Sequence, residues 1–346
     1  MDPNSTPARK KEHLELCSTD KVSFRKKTNG FDHYEFPHNA VTEVDYSSID
    51  ISARFFGRKI GYPFMISSMT GGVSDAENIN ARLAEVASEL NIPIGVGSQR
   101  QLLENYENVA SYRIIRSVAP DVPVLGNIGA SQFARFASFE IVRRLIDVIE
   151  ADAMIIHLNS LQELIQKNGQ PDFSGLLKMI EKISSRINVP IIAKEVGAGI
   201  SRQAAEKLLN AGISGIDVAG AGGTSWSAVE ILRNKTGEDE YFWDWGLPVT
   251  YCLKGVNKLK KKYKFFLIAS GGIESADEIA KSIALGADCT ASARKILMAL
   301  NEDDSEGVIK LISGWFEDVK KIMYLTGCSK ISDLKKIKLI KKEELY

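Results

Sequence analysis

The stretch Ala153-Met154-Ile155-Ile156-His157-Leu158-Asn159-Ser160-Leu161-Gln162-Glu163 carries the reading of the fold. Four apolar, β-favouring residues are followed within seven positions by an imidazole, two amides and a carboxylate. This is a strand that ends by unloading polar groups into a loop. Such a set builds a core badly and holds a polar ligand well, directly or through a hard cation such as Mg²⁺, which prefers oxygen ligands. On this stretch alone a polar loop with ordinary hydrogen bonds is an equal alternative. The other strand ends decide between them.

Working outward, apolar runs of strand length recur at Pro63–Ile66, Ile92–Val96, Val122–Leu125, Ala153–Ile156, Val189–Ala193, Gly215–Ala219, Phe265–Ala269 and Ala287–Thr290. Segments of helical period lie between them: Asn78–Leu90, Phe139–Ile149, Leu176–Ile187, Ala204–Leu209 and Ala276–Leu285. Apolar strands alternating with helices call for a parallel sheet covered on its faces. Eight of them predict an α/β fold, a closed (β/α)8 TIM barrel, over residues 64–330; an open sheet is the alternative if two strands fail. Residues 1–63 form an N-terminal extension and cap, with a hairpin or cap expected over 31–63. The chain beyond residue 300 is helical, and 331–346 is a Lys-rich tail. Trp315, Phe316 and Tyr324 suit either subunit contacts or helix-face packing.

Composition narrows the function. The 346 residues carry 44 basic and 44 acidic side chains, so no global charge invites nucleic acid. Cys17, Cys252, Cys289 and Cys328 have no metal-ligand spacing and fit a reducing compartment. No signal-like segment and no run of about 18 apolar residues is present, so a cytoplasmic protein without membrane contact is expected. The basic N-terminus, Arg9-Lys10-Lys11 and His13, reads by composition as a frayed tail.

The strand ends, which a barrel gathers on one face, are polar or glycine-rich throughout. They are Ser67-Ser68-Met69-Thr70-Gly71-Gly72, Gly97-Ser98-Gln99-Arg100, Gly126-Asn127, His157–Glu163, Lys194-Glu195, Gly220-Ala221-Gly222-Gly223-Thr224 and Ser270-Gly271-Gly272. Glycine turns after late strands, with Arg294 behind the eighth, suit a phosphate. Lys194 near the barrel axis serves either a Schiff base or the edge of a flavin, and periodicity does not choose. Ser98, Asn127 and Thr224 favour the flavin. Glu195 is expected to face the wall in a structural ion pair. No Rossmann fingerprint is present.

Together these stretches closely resemble the type 2, FMN-dependent isopentenyl-diphosphate isomerases over about residues 9–330. The marks are Arg9-Lys10-x-x-His13, Met69-Thr70-Gly71-Gly72, Gly95-Val96-Gly97-Ser98-Gln99-Arg100, Gly126-Asn127 and His157-Leu158-Asn159-x-x-Gln162-Glu163. Further along stand Lys194-Glu195, Gly220-x-Gly222-Gly223-Thr224-x-Trp226, Asp244-Trp245-Gly246 and Ser270-Gly271-Gly272. The resemblance implies interconversion of isopentenyl and dimethylallyl diphosphate by an enzyme using FMN, Mg²⁺ and NADPH or NADH as flavin reductant. It implies FMN contacts from Ser67, Ser68, Met69, Ser98, Asn127, Lys194, Thr224, Gly271, Gly272, Ala293 and Arg294. It places the isoprenoid diphosphate on Arg9, Lys10, His13, Arg100, His157, Asn159 and Gln162. Gln162 and His157 are then catalytic and Glu163 is the metal ligand, which reverses the frayed-tail reading of the N-terminus. A tetramer or octamer is implied as well. Ala219, Glu274 and Ala291 depart from the pattern and are expected to weaken FMN binding. An FMN-dependent 2-hydroxy-acid oxidase or dehydrogenase would need a histidine near strand seven, and none of the four histidines lies late in the chain. A non-catalytic flavin-binding barrel would have no use for the Gln162-Glu163 pair.

Overall fold

The computed structural model describes residues 6–72, 74–104, 106, 108–136, 138–235 and 237–345. Eight parallel strands follow one another around a barrel: β1 (Phe64–Ile66), β2 (Ile94–Gly95), β3 (Val124–Gly129), β4 (Ala153–Leu158), β5 (Ile191–Glu195), β6 (Gly215–Asp217), β7 (Phe266–Ala269) and β8 (Cys289–Ser292). β8 returns to β1, with Thr290 opposite Phe64 and Ser292 opposite Ile66. The sheet is therefore closed, as the count of eight runs predicts, and no open edge remains.

Alternation along the strands sorts the core into two parts. Phe64, Ile66, Val124, Met154, Ile156, Ile191, Ala193, Ile216, Leu267 and Ala269 face outward and join the helices in one large cluster. Met65, Leu125, Ala153, Ile155, Ile192, Ile268, Cys289 and Ala291 fill the lumen. Phe55 and Ile60 join this second cluster from a hairpin, Ala53–Phe55 against Arg58–Ile60, that plugs the N-terminal end of the barrel. Phe55 meets Phe266 edge-on at 5.0 Å. The hairpin turn needs left-handed backbone at both central residues, Phe56 (φ 44°) and Gly57 (φ 93°), and glycine supplies the second without strain. The first 63 residues thus divide: the hairpin seals one end, and helix α1 (Thr6–Cys17) contributes to the other.

The helix over Phe139–Ile149 has the expected limits, whereas the one before β2 begins earlier, at Ser74. Helices that escaped the periodicity include α1, Ala110–Val118, α3 (Trp226–Asn234) and Val249–Asn257. The short helix α2 (Ser160–Ile165) follows β4, and the long helix α4 (Arg294–Leu325) is kinked at Asp303 and Asp304. The C-terminal residues are not a loose tail. Ile331 and Leu334 are buried, Lys335 pairs with Asp288 at 2.5 Å, and Ile340–Lys341 pair with Tyr34–Glu35. Trp315 and Phe316 are likewise core residues, Phe316 stacking on Tyr62 at 4.3 Å, which removes them as subunit contacts. No helix among the described residues is long and apolar enough to cross a membrane.

Candidate active site

The C-terminal strand ends and α1 enclose one cavity of about 270 Å³. Its wall includes every residue that the sequence singles out: Arg9, Lys10, His13, Ser67, Ser68, Met69, Ser98, Arg100, Asn127, His157, Asn159, Gln162, Glu163, Lys194, Thr224, Gly271, Gly272, Ala293 and Arg294. The three departures, Ala219, Glu274 and Ala291, line it too. Nothing in the sequence alone forces residues 9–13 to meet residues 67–294; closure of the barrel and the course of α1 do.

Register sets the lumenal layer. His157, Lys194 and Asp217 stand level on β4, β5 and β6, the first two each two residues above the lumen-filling Ile155 and Ile192. His157 Nδ1 lies 2.8 Å from Asn127 Oδ1, while Asn127 Nδ2 donates to Val96 O at 3.1 Å. The amide orientation is therefore fixed, so His157 carries its proton on Nδ1 and leaves Nε2 as an acceptor. Burial, with Lys194 and Lys10 nearby, pushes the His157 pKa down to about 3, so the ring is neutral at physiological pH. Lys194 donates to its own neighbour's carbonyl, Glu195 O, at 2.8 Å. Asp217 is fully buried; Oδ1 accepts from Ser270 Oγ at 2.6 Å and Oδ2 has no partner among the described residues.

Glu195 faces away from the lumen, as alternation requires, but it forms no ion pair among the described residues. Its Oε2 accepts from the backbone N–H groups of Val196, Gly197, Ala198 and Gly199 at 2.5–3.1 Å, so it folds the β5 loop. Burial still raises its pKa, against those four donors.

The substrate-side wall is organised by a residue that the sequence reading missed. Glu230, on α3, is fully buried. Its Oε1 accepts from Gln162 Nε2 at 3.0 Å and lies 2.9 Å from His13 Nε2; its Oε2 pairs with Arg233 at 2.5 Å. In the amide orientation that satisfies both partners, Gln166 donates to Glu230 Oε1 (3.2 Å) and accepts from Arg9 Nη1 (3.0 Å). Burial alone would raise the Glu230 carboxyl; His13, Gln162 and Arg233 outweigh it and hold the pKa below the ordinary range. Burial lowers His13, so at neutral pH this ring is a neutral donor and Arg233 supplies the charge. The available signal was Ser225: its side chain caps α3 by accepting from Ala228 N, and that helix carries Glu230 inward.

Asn159 Nδ2 donates to Gln162 Oε1 (3.3 Å) and Glu163 Oε1 (3.1 Å), and Gln170 N donates to Glu163 Oε2 (2.7 Å). Both carboxylate oxygens of Glu163 are thus oriented by the chain. No group of three or more His, Cys, Asp or Glu side chains able to hold a metal occurs among the described residues. Lys10 donates to Gly71 O and, at 3.0 Å, to Gln101 Oε1. Burial, reinforced by Arg9, brings its pKa down to about 7. Arg100 pairs with Glu104 at 3.1 Å.

On the opposite wall, the loops after β6 and β7 press together. A Cβ on Gly223 would sit 2.5 Å from Gly272 N, and one on Gly272 (φ +73°) would sit 2.4 Å from Gly222 O. The glycines therefore serve loop-to-loop packing first. Arg294 stands beside them, donating to Ser23 Oγ at 2.5 Å and pairing with Glu274 at 3.1 Å. Ser68 Oγ, Thr70 Oγ1, Asn159 Oδ1 and Arg294 Nε are buried without a hydrogen-bond partner among the described residues, and all four residues line the cavity. Such orphans are rare in folded proteins and point to a missing polar ligand.

The family profile of FMN-dependent dehydrogenases matches residues 4–114 and 100–341. The isopentenyl-diphosphate delta-isomerase of Chlorobium limicola is 45% identical over 352 residues, covering 98% of this chain and 97% of the relative. That of Pyrococcus abyssi is 43% identical over 346 residues, covering 97% and 92%. Among solved structures, a flavocytochrome b2 mutant with pyruvate bound matches at a TM-score of 0.70 and 17% identity over 93% of this chain and 81% of that one. A lactate oxidase of Pediococcus acidilactici matches at 0.68 and 15%, over 99% and 95%. At those identities the structural likeness concerns the barrel alone. The relatives that align end to end decide the assignment: the chain belongs to the FMN-dependent dehydrogenase family and, within it, to the type 2 isopentenyl-diphosphate delta-isomerases.

Proposed function

We propose that this protein is an enzyme that interconverts isopentenyl diphosphate and dimethylallyl diphosphate, with FMN bound at the barrel mouth and Mg²⁺ on the diphosphate. The observation that carries this reading is one cavity at the strand ends, with Arg9, Lys10 and His13 on its α1 side and the orphaned Ser68 Oγ, Thr70 Oγ1, Asn159 Oδ1 and Arg294 Nε in its wall, in a chain similar to those isomerases over nearly its whole length. The residues fit a flavin mononucleotide: Ser67, Ser68, Met69, Ser98, Asn127, Lys194 and Thr224 would hold the ring. The Gly271-Gly272 turn, Ala293 and Arg294 would hold the phosphate, the buried Arg294 Nε having no partner among the described residues. When bound and reduced, FMN supplies an electron-rich ring that stabilises positive charge on the C5 unit and acid–base capacity at its N5 edge; NADPH or NADH is the reductant in this reading.

The chain's own residues do the rest. Arg9, Lys10, Arg100 and His157 hold the diphosphate, with His13 and Asn159 completing that wall. Lys10, about half protonated at neutral pH, takes up the rest of its proton beside the diphosphate, whereas His157 presents a bare Nε2 and must gain a proton to donate. Glu163, aligned by Asn159 and Gln170 N, would hold Mg²⁺ through its remaining lone pairs. No cluster of three such side chains occurs among the described residues, so Glu163 would share Mg²⁺ with substrate phosphate and water, ligands that this ion commonly keeps. Gln162 is a weak base; fixed between Glu230 and Asn159, it orients or relays a proton at the allylic carbons. A homo-oligomer belongs to the same reading, with exposed Tyr241, Trp245 and Tyr251 available for contacts.

The test is direct. The purified protein is expected to be yellow and, once reduced by NADPH or dithionite with Mg²⁺ present, to equilibrate the two C5 diphosphates without oxidising 2-hydroxy acids. Absence of exchange under those conditions removes the assignment. Oxidation of lactate or mandelate would favour the oxidase chemistry of the structural neighbours instead.

A further inference from the structure

The cation at the glycine cradle is not free. Arg294 has a side chain only 10% exposed, and its guanidinium meets three groups: Ser23 Oγ at 2.5 Å, Glu274 Oε1 at 3.1 Å and Asp20 Oδ1 at 3.8 Å. Its Nε is buried and without a partner among the described residues, and it is a donor available to a ligand. Glu274 lines the same cavity wall as Gly271, Gly272 and Arg294. It is held at the start of the helix Ala276–Ala284, its own N–H donating to Glu278 Oε2 at 2.7 Å. Glu278 also accepts from Asn29 Nδ2 at 2.5 Å, and Asn29 Nδ2 reaches Gly272 O at 2.7 Å. Glu274 is thus the carboxylate that shares this wall with Gly271, Gly272, Arg294 and Lys295, while Asp20, 3.8 Å from Arg294, stands largely exposed outside it. A phosphate monoester brings close to two negative charges and three acceptor oxygens to such a place.

We propose that Glu274 competes with the cofactor's phosphate for Arg294 and thereby makes FMN exchangeable in this protein. The proposal rests on the reading that the phosphate of FMN lies in the Gly271-Gly272 cradle. In the free protein Glu274 occupies Arg294 Nη2; when phosphate enters, that bond is loosened and the two anions face each other. A guanidinium presents two parallel donors to one anion well, and sharing them between a carboxylate and a phosphate forfeits the bidentate geometry. Glu274 is therefore a positioning residue that lowers affinity for the phosphorylated flavin and leaves the ring site alone.

The experiment is titration of the apoprotein with FMN and with riboflavin, following quenching of flavin fluorescence, for the wild type, Glu274→Gln, Arg294→Gln and the double variant. Removing the carboxylate charge is expected to tighten FMN about tenfold, in line with one charge-assisted contact at a partly exposed site. Riboflavin, which has no phosphate, is expected to bind all four proteins alike. The gain from E274Q is expected to vanish in the R294Q background. Equal or weaker FMN binding by E274Q overturns the proposal while leaving the FMN assignment intact. A gain that persists without Arg294 overturns the route through that arginine. If the wild type binds neither flavin, the cofactor assignment falls and takes this proposal with it.

Discussion

Glu230→Gln is the perturbation that probes the substrate wall most sharply. The glutamate is fully buried and serves His13, Gln162 and Arg233 at once, so the isosteric amide keeps the volume and removes the charge. One amide oxygen cannot accept from all three, and its NH2 must face a donor. Breaking a buried pair by neutralising one partner costs about 3–5 kcal/mol. Arg233 retains Glu12 at 2.8 Å, so the low end, about 3 kcal/mol, is expected. Losing its acceptor also frees the Gln162 amide to rotate, and misplacement of a reacting group by about 1 Å costs roughly 100-fold in turnover. Urea unfolding of the holoenzyme measures the first effect. Exchange between the two C5 diphosphates, followed by NMR at a temperature where the variant is folded, measures the second. A variant with an unchanged unfolding midpoint and exchange within about twofold of wild type would refute the organising role of this carboxylate.

Four other outcomes follow from the geometry. Because Lys10 is held at about 7, diphosphate binding at pH 8 should take up about 0.9 proton at that residue, seen by calorimetry in buffers of different ionisation enthalpy and absent in Lys10→Met. Glu163→Gln should raise the Mg²⁺ requirement sharply with FMN still bound; an unchanged Mg²⁺ titration removes Glu163 from the metal site. His157 titrates near 3 folded and near 6.5 unfolded, so its stabilising contribution is complete above about 6.5 and is lost as pH falls toward 3. Unfolding free energies at pH 7 and 5 should therefore differ by about 2 kcal/mol more in wild type than in His157→Asn. At the sealed end, Phe55→Ala should cost about 3–5 kcal/mol without changing flavin affinity, since Phe55 packs among lumen residues remote from the cavity wall.

The barrel was legible because each strand is apolar on both faces and each strand end turns polar at the same point of the repeat. The cavity residues were legible for the same reason: period 2 along β4 and β5 carries His157 and Lys194 into the lumen from Ile155 and Ile192. The burial of Trp315 and Phe316 lay within the helical period, but their aromatic character suited an interface equally. Glu230 was not legible. A glutamate amid Trp226, Val229 and Ile231 looks like a solvated helix position, and only packing of α3 against α2 and α1 shows that it is enclosed. Asp217 escaped similarly, because β6 is so short that its one carboxylate reads as a strand terminus. The Glu195 partners were misjudged because an ion pair was sought in side chains, while the loop offered four backbone donors. Lys335 was counted into a tail because its anchor, Asp288, lies 47 residues earlier in the chain.

The central claim is that one barrel mouth holds a flavin and a metal-bound diphosphate face to face. A crystal structure of the protein with reduced FMN, Mg²⁺ and isopentenyl diphosphate tests it most directly. The flavin ring is expected between Lys194 and the C5 chain, its phosphate at Gly271-Gly272 and Arg294, and the metal between Glu163 and the diphosphate beside Arg9, Lys10 and Arg100. A diphosphate bound away from Glu163, or a flavin outside this cavity, would contradict it.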